Sequence, residues 1–522
     1  MTGQPLTLEG NLRDEISLRE GTLVDLHDGT LLVRHPLGGA GLGGCPPAVH
    51  QVMLGLTTSA ADRPELWRRL AAAAGGDAEP RVLMAPYSQL LWLLSQVGVA
   101  VRHRISAGED PILSIEPITP HGTFTLGDVP ADRPLALSRF TLTRRRGESL
   151  VIEAPRAPVR LVAHSPVTSL VLHALSRPLP LAELESKLTG VPPAVTATVV
   201  KALSAARMLS DADEDRAAEP ERPAAGLWDP HDLWFHTHSR IGFHDDPFGA
   251  VYAHSPAVPP LPATRERVSD RSIELPVPEA HRVLTRDPTL TAAIEQRVSI
   301  RRYGQRPITL DQLGEFLFRT ARTRALHGPI PEAGLPYEAG DRPYPSGGAM
   351  YELELYLTVH RATGLPRGVY HYATDEHRLY WLHDREDQMS GLMLDAMRAT
   401  GMTAPPDILV TLTSRFQRLS WKYGSIAYAT TLKNVGALYQ TMYLVATAMG
   451  LAPCALGSGN SVRAEQALGL DGMRESSVGE FMLGSAPEDV PLSLMRKIGP
   501  RQHETWRARV APDWYDEAER SR

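Results

Sequence analysis

The sequence predicts an α+β protein, with two winged-helix-like modules ahead of a larger mixed domain. Three observations predict this. A strand–turn–strand–helix pattern occurs twice before residue 212. An acidic run rich in Pro and Ala, SDADEDRAAEPERPAAG at 210–226, then interrupts the chain. Beyond residue 280, short alternating apolar runs lie among helical segments, the texture of a packed helix-and-sheet layer.

The repeated pattern comes first. Residues 21–56 read GTLVDLHDGTLLVRHPLGGAGLGGCPPAVHQVMLGL, and residues 139–175 read RFTLTRRRGESLVIEAPRAPVRLVAHSPVTSLVLHAL. Each gives an alternating strand, a polar turn, a second strand and an apolar helix opened by Pro. The second copy continues into two short amphipathic helices, PLAELESKLTG and PPAVTATVVKALSAARMLSD, with Val199, Val200, Leu203 and Met208 at helical spacing. The first ends similarly in YSQLLWLLSQVGVAVRH. We divide the chain into modules at 1–125 and 126–212, a linker and extended wrapping segment at 213–279, and a mixed domain at 280–522. A single α+β domain over the first 212 residues is the alternative. GAGLGG at 39–44 lacks the Lys of a phosphate-binding loop and is read as a turn.

Bulk properties narrow the function. The chain has 522 residues, more than one core usually organises, and 43% hydrophobic and 22% charged content is ordinary for a globular protein. A net charge of −6 gives no global case for nucleic acid. The only cysteines, Cys45 and Cys454, are far apart, which suits a reducing compartment. No secretory pattern opens the chain and no apolar run approaches the roughly 20 residues of a membrane span, so a cytoplasmic location is expected.

Two constellations in the mixed domain carry chemistry. In QRVSIRRYGQRPI, Arg297, Ser299 and Arg301 alternate along an extended segment and can converge on one anion. Two guanidinium forks and a hydroxyl suit a phosphate. In RPYPSGGAMYELELY, Pro345-Ser346-Gly347-Gly348 sets a tight turn before a buried strand, where a flat ligand can approach the backbone. YELELYLTVH alternates through Tyr351, Leu353, Leu355, Leu357 and Val359. GVYHYATDEHRLYWLH reads as a hairpin, and DILVTLT, PCALG and GEFMLG as strands. Trp421, Lys422 and Tyr423 stand where a long apolar helix begins. Its positions Ile426, Val435, Leu438, Met442, Val445 and Met449 are read as intrachain core.

These segments, in this order, resemble the nitroreductase-like flavoproteins, and within them the dehydrogenases that oxidise azolines to azoles in ribosomally made peptide natural products of the thiazole/oxazole-modified microcin and thiopeptide type. The motifs are R-x-S-x-R-R-Y with P-I, R-x-Y-P-S-G-G-A with L-E-L-Y, G-V-Y-H-Y, W-K-Y-G, and Q-x(9)-G-L with a nearby L-G, spanning about Ala280 to Ile498. The segment F-H-T-H-S-R-I-G ahead of them is also similar to that family. The resemblance implies FMN at a homodimer interface. Arg297, Ser299 and Arg301 would hold its phosphate. Pro345, Ser346 and Gly347 of the other subunit would line the ring, with Leu456, Gly457 and Ser458 on the opposite side. Gln440 and Arg496 would contribute as well. The family's catalytic signature is a Lys-Tyr pair, here Lys422 and Tyr423.

That pair suits the chemistry. Azoline oxidation removes a proton from one ring carbon and a hydride from its neighbour. A nearby ammonium favours the phenolate over the unperturbed pKa of about 10. Tyr423 is therefore the expected proton acceptor and Lys422 its electrostatic partner, and the roles can also be exchanged. The implied substrate is a heterocyclised precursor peptide, with the cyclodehydratase as a further candidate partner. A nicotinamide-driven nitro or quinone reductase is the second reading, although GGAMYELE replaces the Asn and Gln-Pro-Trp features usual there. A peptide-recognition subunit without catalysis is the third.

Two features stand outside the flavin motifs. His231, His236, His238 and His244, with Asp245 and Asp246, match no structural zinc spacing and are read as a solvated loop, with no metal assigned. The helix-turn-helix segment at 192–209 has one Lys and one Arg, too few for a set of phosphate contacts on nucleic acid. These modules either bind a leader peptide that adds to a strand edge near Arg144–Arg146 or only buttress the mixed domain, and the sequence leaves both open.

Overall fold

The computed structural model describes residues 12–76, 79–120, 122, 124–211, 224–488 and 504–510. Two compact units divide the chain at Asp246/Pro247. This boundary lies inside the stretch expected to be a linker, 213–279. Residues 224–246 belong to the first unit and 247–279 to the second.

In the first unit the elements are β1 (Leu12–Leu18), β2 (Leu23–His27), β3 (Thr30–His35), β4 (Gly38–Gly43), α1 (Pro47–Gly55), α2 (Arg63–Ala73), α3 (Pro80–Gln96), β5 (Val101–Ala107), β6 (Asp110–Pro117) and β7 (Leu135–Leu137). They continue with β8 (Leu142–Arg146), β9 (Ser149–Glu153), β10 (Val159–Ala163), α4 (Pro166–Ala174), α5 (Leu181–Lys187), α6 (Pro193–Ala205), β11 (Leu209–Asp211) and α7 (Pro230–His238). The repeat is present as three strands followed by three helices, twice. Prolines open α1, α4 and α6, where a missing N–H costs nothing, and Ser165 caps α4 by accepting from the Val167 N–H.

Each helix triad has its own core. One gathers Val49, Val52, Met53, Leu66 and Leu90. The other gathers Val167, Val171, Leu184, Val199 and Leu203. The strands are shared differently. β2, β3 and β4 form their own sheet, whereas β8, β9 and β10 complete a six-stranded sheet in the order β1-β5-β6-β10-β9-β8. The run at 39–44, expected as a turn, is mostly strand β4. A Cβ on Gly39 would lie 2.4 Å from the Val33 carbonyl oxygen, so glycine permits this close pairing.

The second unit is built on a seven-stranded sheet, β12-β17-β16-β15-β18-β20-β19, antiparallel throughout. Its strands are β12 (Ser272–Glu274), β15 (Leu353–Val359), β16 (Gly368–Ala373), β17 (Arg378–His383), β18 (Ile408–Arg415), β19 (Leu451–Ala455) and β20 (Glu475–Ser485). A small ladder joins β13 (Ala325–His327) to β14 (Ala339–Asp341). The helices are α8 (Ala280–Arg286), α9 (Leu290–Gln296), α10 (Leu310–Ala321), α11 (Glu386–Thr400), α12 (Phe416–Lys422), α13 (Ala427–Ala448), α14 (Ser461–Leu468) and α15 (Glu504–Val510). Thr309 and Gln312 form a reciprocal capping box at the start of α10.

All seven residues of β15 are buried, because both faces of the sheet are covered. Leu353, Leu355, Leu357 and Val359 meet Phe316 of α10 and Leu438 and Met442 of α13 in one core. Tyr356 points the other way, to Leu392 and Met393 of α11 and Ala464 of α14. Val435, Leu438 and Met442 of α13 and Met449 just after it enter that first core, as the intrachain reading expects, while Val445 and the preceding Ile426 are half-buried. Tyr428, Leu432, Gly436 and Gln440, spaced by four, form its exposed stripe.

Candidate active site

The site lies in the second unit, around the end of α12. Trp421 and Lys422 close α12 and Tyr423 follows in extended conformation (φ −105°, ψ 140°); they do not open the long helix, as the sequence reading had it. The reason is backbone pairing. The N–H groups of Val251 and Tyr252 donate to the Lys422 carbonyl at 3.0 and 3.1 Å, and those of Gly424 and Ser425 donate to the carbonyls of Gly249 and Pro247 at 2.9 and 3.0 Å. These bonds compete with helix formation and postpone α13 to Ala427. Gly424 is needed there, since a Cβ would sit 2.1 Å from the Pro247 oxygen. Trp421 Nε1 donates to the Val258 carbonyl at 2.6 Å. The extended stretch after Asp246 thus straps the site from the outside.

Lys422 is buried, and its ammonium turns toward the turn at 345–348. Nζ donates a short hydrogen bond to the Tyr337 hydroxyl, and lies 4.5 Å from the centroid of the Tyr337 ring and 5.3 Å from that of Tyr423. A Cβ built on Gly348 would be 2.4 Å from both Lys422 Nζ and the Tyr423 hydroxyl. The two polar groups therefore converge over one glycine, whose φ of +62° would also strain a side chain. Ala349 (φ 55°) and Tyr351 (φ 45°) continue the left-handed backbone. Non-glycine residues persist there only when their surroundings hold them.

Those surroundings are explicit. Asn434 of α13 accepts from the Gly347 N–H at 3.1 Å through Oδ1, and its Nδ2 donates to Ser346 Oγ at 3.1 Å and to the Glu352 carboxyl at 2.9 Å. Ser346 Oγ also accepts from the Tyr351 N–H at 3.1 Å. Burial pushes the Glu352 carboxyl above its ordinary range. Pro345 is exposed at the rim of the turn.

A second cluster forms along the C-terminal half of α13. The Arg297 guanidinium lies 5.0 Å from the Tyr443 ring centroid, and Ser299 Oγ is 2.7 Å from the Tyr443 hydroxyl, which also accepts from the Ala455 N–H at 2.8 Å. Arg301 reaches the Cys454 thiol, which burial pushes up while Arg301 pulls it down. The Ile300 N–H donates to the Pro453 carbonyl at 2.8 Å, which lays the Arg-Ser-Arg segment beside β19. β19 then leads into buried Leu456 and exposed Gly457 and Ser458. The Glu480 carboxyl packs against Gly459, where a Cβ would lie 2.3 Å from its oxygen, and burial pushes it up to about 7.

Most of the expected residues therefore gather into two groups. Lys422 and Tyr423 face the turn of Pro345, Ser346 and Gly347. Arg297, Ser299 and Arg301 share a cluster with the strand leading to Leu456. From Asn434 to Tyr443 is nine residues of α13, about 14 Å at 1.5 Å per residue. Gln440 is on the exposed stripe of α13, and Arg496 lies outside the described residues. Tyr337, Asn434, Tyr443 and Glu480 escaped the sequence reading. Tyr337 sits only a few residues before the R-P-Y-P-S-G-G motif, but nothing in that spacing marks a partner for Lys422.

In the first unit, Asp245 pairs with Arg19 and Arg160, and Arg160, almost fully buried, also meets Glu116 and Glu153 at 3.4 Å each. Among the histidines, His238 and His244 come together with Asp246, with ligand atoms within 4.8 Å of one another. His231 and His236 are exposed.

Comparison with known proteins matches this architecture. Residues 294–485 match the nitroreductase family, and residues 135–245 match the cyanobactin oxidase ThcOx. A Methanocaldococcus jannaschii protein named as a nitroreductase is 27% identical over 187 residues, covering 36% of this chain and 85% of its own. Among solved structures, a Ralstonia eutropha protein, also named as a nitroreductase, is 20% identical, covers 46% of this chain and 98% of its own, and has a TM-score of 0.33. A chain of the E. coli microcin synthetase McbBCD complex with truncated pro-MccB17 bound is 17% identical, covers 50% of this chain and 96% of its own, and has a TM-score of 0.31. The C-terminal domain is a nitroreductase-family oxidoreductase domain. The segment at 135–245 that matches the cyanobactin oxidase model precedes it in the chain.

Proposed function

We propose that this protein is an FMN-dependent azoline dehydrogenase acting on a heterocyclised precursor peptide. The observation that carries this reading is the convergence of the Lys422 ammonium and the Tyr423 hydroxyl over Gly348, in a turn that also holds Ser346 and Gly347. The residues present fit FMN. Among the described residues, no carboxylate forms an ion pair with Arg297 or Arg301, and with Ser299 they offer two guanidinium forks and a hydroxyl for its phosphate. At Gly347 and Gly348 a Cβ would collide with Thr430 Cγ2 or with Lys422 and Tyr423, so the glycines let the turn lie close against the residues that would flank the ring. When bound, FMN supplies a hydride acceptor.

The protein's own task is the proton. Tyr423 takes it from the azoline ring carbon while the neighbouring carbon gives up its hydride. The ring thus loses two hydrogens and two electrons and becomes an aromatic azole, and dioxygen is the terminal electron acceptor in this reading. Lys422 stabilises the phenolate, and its burial keeps water from screening that charge. A homodimer is part of the reading: the exposed stripe of Tyr428, Leu432, Gly436 and Gln440 along α13 suits a facing helix, and the partner's 345–347 turn would complete the second cluster. In the first unit, the two strand-and-helix repeats are read as winged-helix-like modules. β8 is a sheet edge carrying Arg144–Arg146, where a leader peptide could add as a strand. Arg144 already pairs with Glu153 at 2.8 Å, which leaves Arg145 the most available charge.

The test is a thiazoline peptide incubated with the yellow protein and weighed, with the released cofactor identified by mass spectrometry. Loss of two hydrogens per ring supports the reading. Rapid bleaching by NADPH without peptide, and no mass loss, would instead favour the nitro or quinone reductase. A colourless protein that binds peptide would be the recognition subunit.

A further inference from the structure

We propose that Tyr337 is a third member of the site, a positioning residue that holds the Lys422 ammonium over Gly348; the proposal rests on the reading above. Tyr337 does three things at once. Its hydroxyl accepts from Lys422 Nζ, it donates to the Gly348 carbonyl at 2.9 Å, and its ring centroid lies 4.5 Å from the same ammonium. One residue thereby ties the lysine to the turn that it faces.

The hydrogen-bond arithmetic requires a neutral phenol. A phenol has one proton to give and lone pairs to accept with. If the proton goes to the Gly348 carbonyl, the ammonium is received on the oxygen lone pair. Burial pushes the Tyr337 phenol up, against the pull of Arg418, so it keeps that proton. Among the described residues Tyr423 makes no such bond to the turn, which leaves its hydroxyl for substrate. The two phenols beside Lys422 thus divide the work: Tyr337 holds the cation and Tyr423 uses it. The ring also packs in a small core with Met350, Leu419 and Trp421, so a merely structural role must be separated from a positioning one.

Tyr337→Phe makes that separation, because it keeps the ring and removes only the hydroxyl. Two measurements apply. In the first, an N-hydroxysuccinimide ester labels the protein and peptide mass spectrometry follows Lys422 against exposed Lys433, among the five lysines of the chain. Labelling of Lys422 should rise at least fivefold in Tyr337→Phe with Lys433 unchanged. Unchanged Lys422 labelling overturns the proposal, and this readout needs neither substrate nor flavin. In the second, kcat on a thiazoline peptide should fall about tenfold to a hundredfold at unchanged KM, and the bend in the pH–rate profile should move. A uniform fall with the bend in place is the structural outcome and also overturns it. Failure of the wild type to oxidise azolines would sink the functional reading while leaving the labelling result to judge Tyr337.

Discussion

The Gly347 N–H donates to Asn434 Oδ1 at 3.1 Å, and this bond ties the candidate flavin turn to the middle of the longest helix. Asn434 Nδ2 in turn donates to Ser346 Oγ and to the buried Glu352 carboxyl. Replacing Asn434 with Ala takes a partner from three groups and leaves the Gly347 N–H without its acceptor. The expected cost is about 2–3 kcal/mol, from the penalty for stranding buried polar groups. Thermal unfolding should show it as a fall in Tm, with activity lost further than stability because the turn loosens. A Tm unchanged from wild type would contradict the role given to Asn434.

Gly348→Ala places a methyl group 2.4 Å from both Lys422 Nζ and the Tyr423 hydroxyl, at a φ of +62°. Either the turn or the two side chains must move. Azoline oxidation should fall at least a hundredfold while circular dichroism stays unchanged. A fully active Gly348→Ala enzyme would mean the lysine and tyrosine do not work where they meet.

Arg297 and Arg301 are assigned to one phosphate. A charge-assisted hydrogen bond is worth about 1.5–3 kcal/mol, so each Arg→Ala change should weaken FMN binding about tenfold to a hundredfold. Fluorescence titration of the apoprotein measures this directly. Gln440→Ala, on the exposed stripe of α13, should weaken FMN binding only by dissociating the proposed homodimer, which sedimentation would report.

Glu480 sets a pH dependence. Burial raises its carboxyl from 4.5 to about 7, so between those values the folded state holds a proton that the unfolded state has released. Stability is therefore highest below the unfolded value and falls as pH rises through about 7. Tm should decline from pH 5 to pH 8, and Glu480→Gln should flatten that slope. An equally steep slope in Glu480→Gln would assign it to other groups.

How much of this could be read from the sequence depends on range. The repeated strand–helix pattern, β15, the β16–β17 hairpin and the intrachain face of α13 follow from local period and turn chemistry, and they appear where expected. Arg297 and Ser299 share Tyr443 because alternate residues of an extended chain point to one side, again a local property. The placement of Lys422 at the end of α12 did not follow, because the strap at 247–258 captures the backbone after it from some 170 residues away. The same holds for Tyr337, joined to Lys422 across 85 positions, and for Asn434, joined to Gly347 across 87. β4 was missed because its glycines look like a turn, yet serve a close strand pairing.

The most direct measurement is the mass of a purified thiazoline-containing peptide after incubation with the FMN-loaded protein in air, beside Lys422→Ala and Tyr423→Phe. The account predicts a loss of two hydrogens per ring with the wild type and at least a hundredfold slower loss with either variant, both still binding FMN. Equal rates in all three proteins would contradict it.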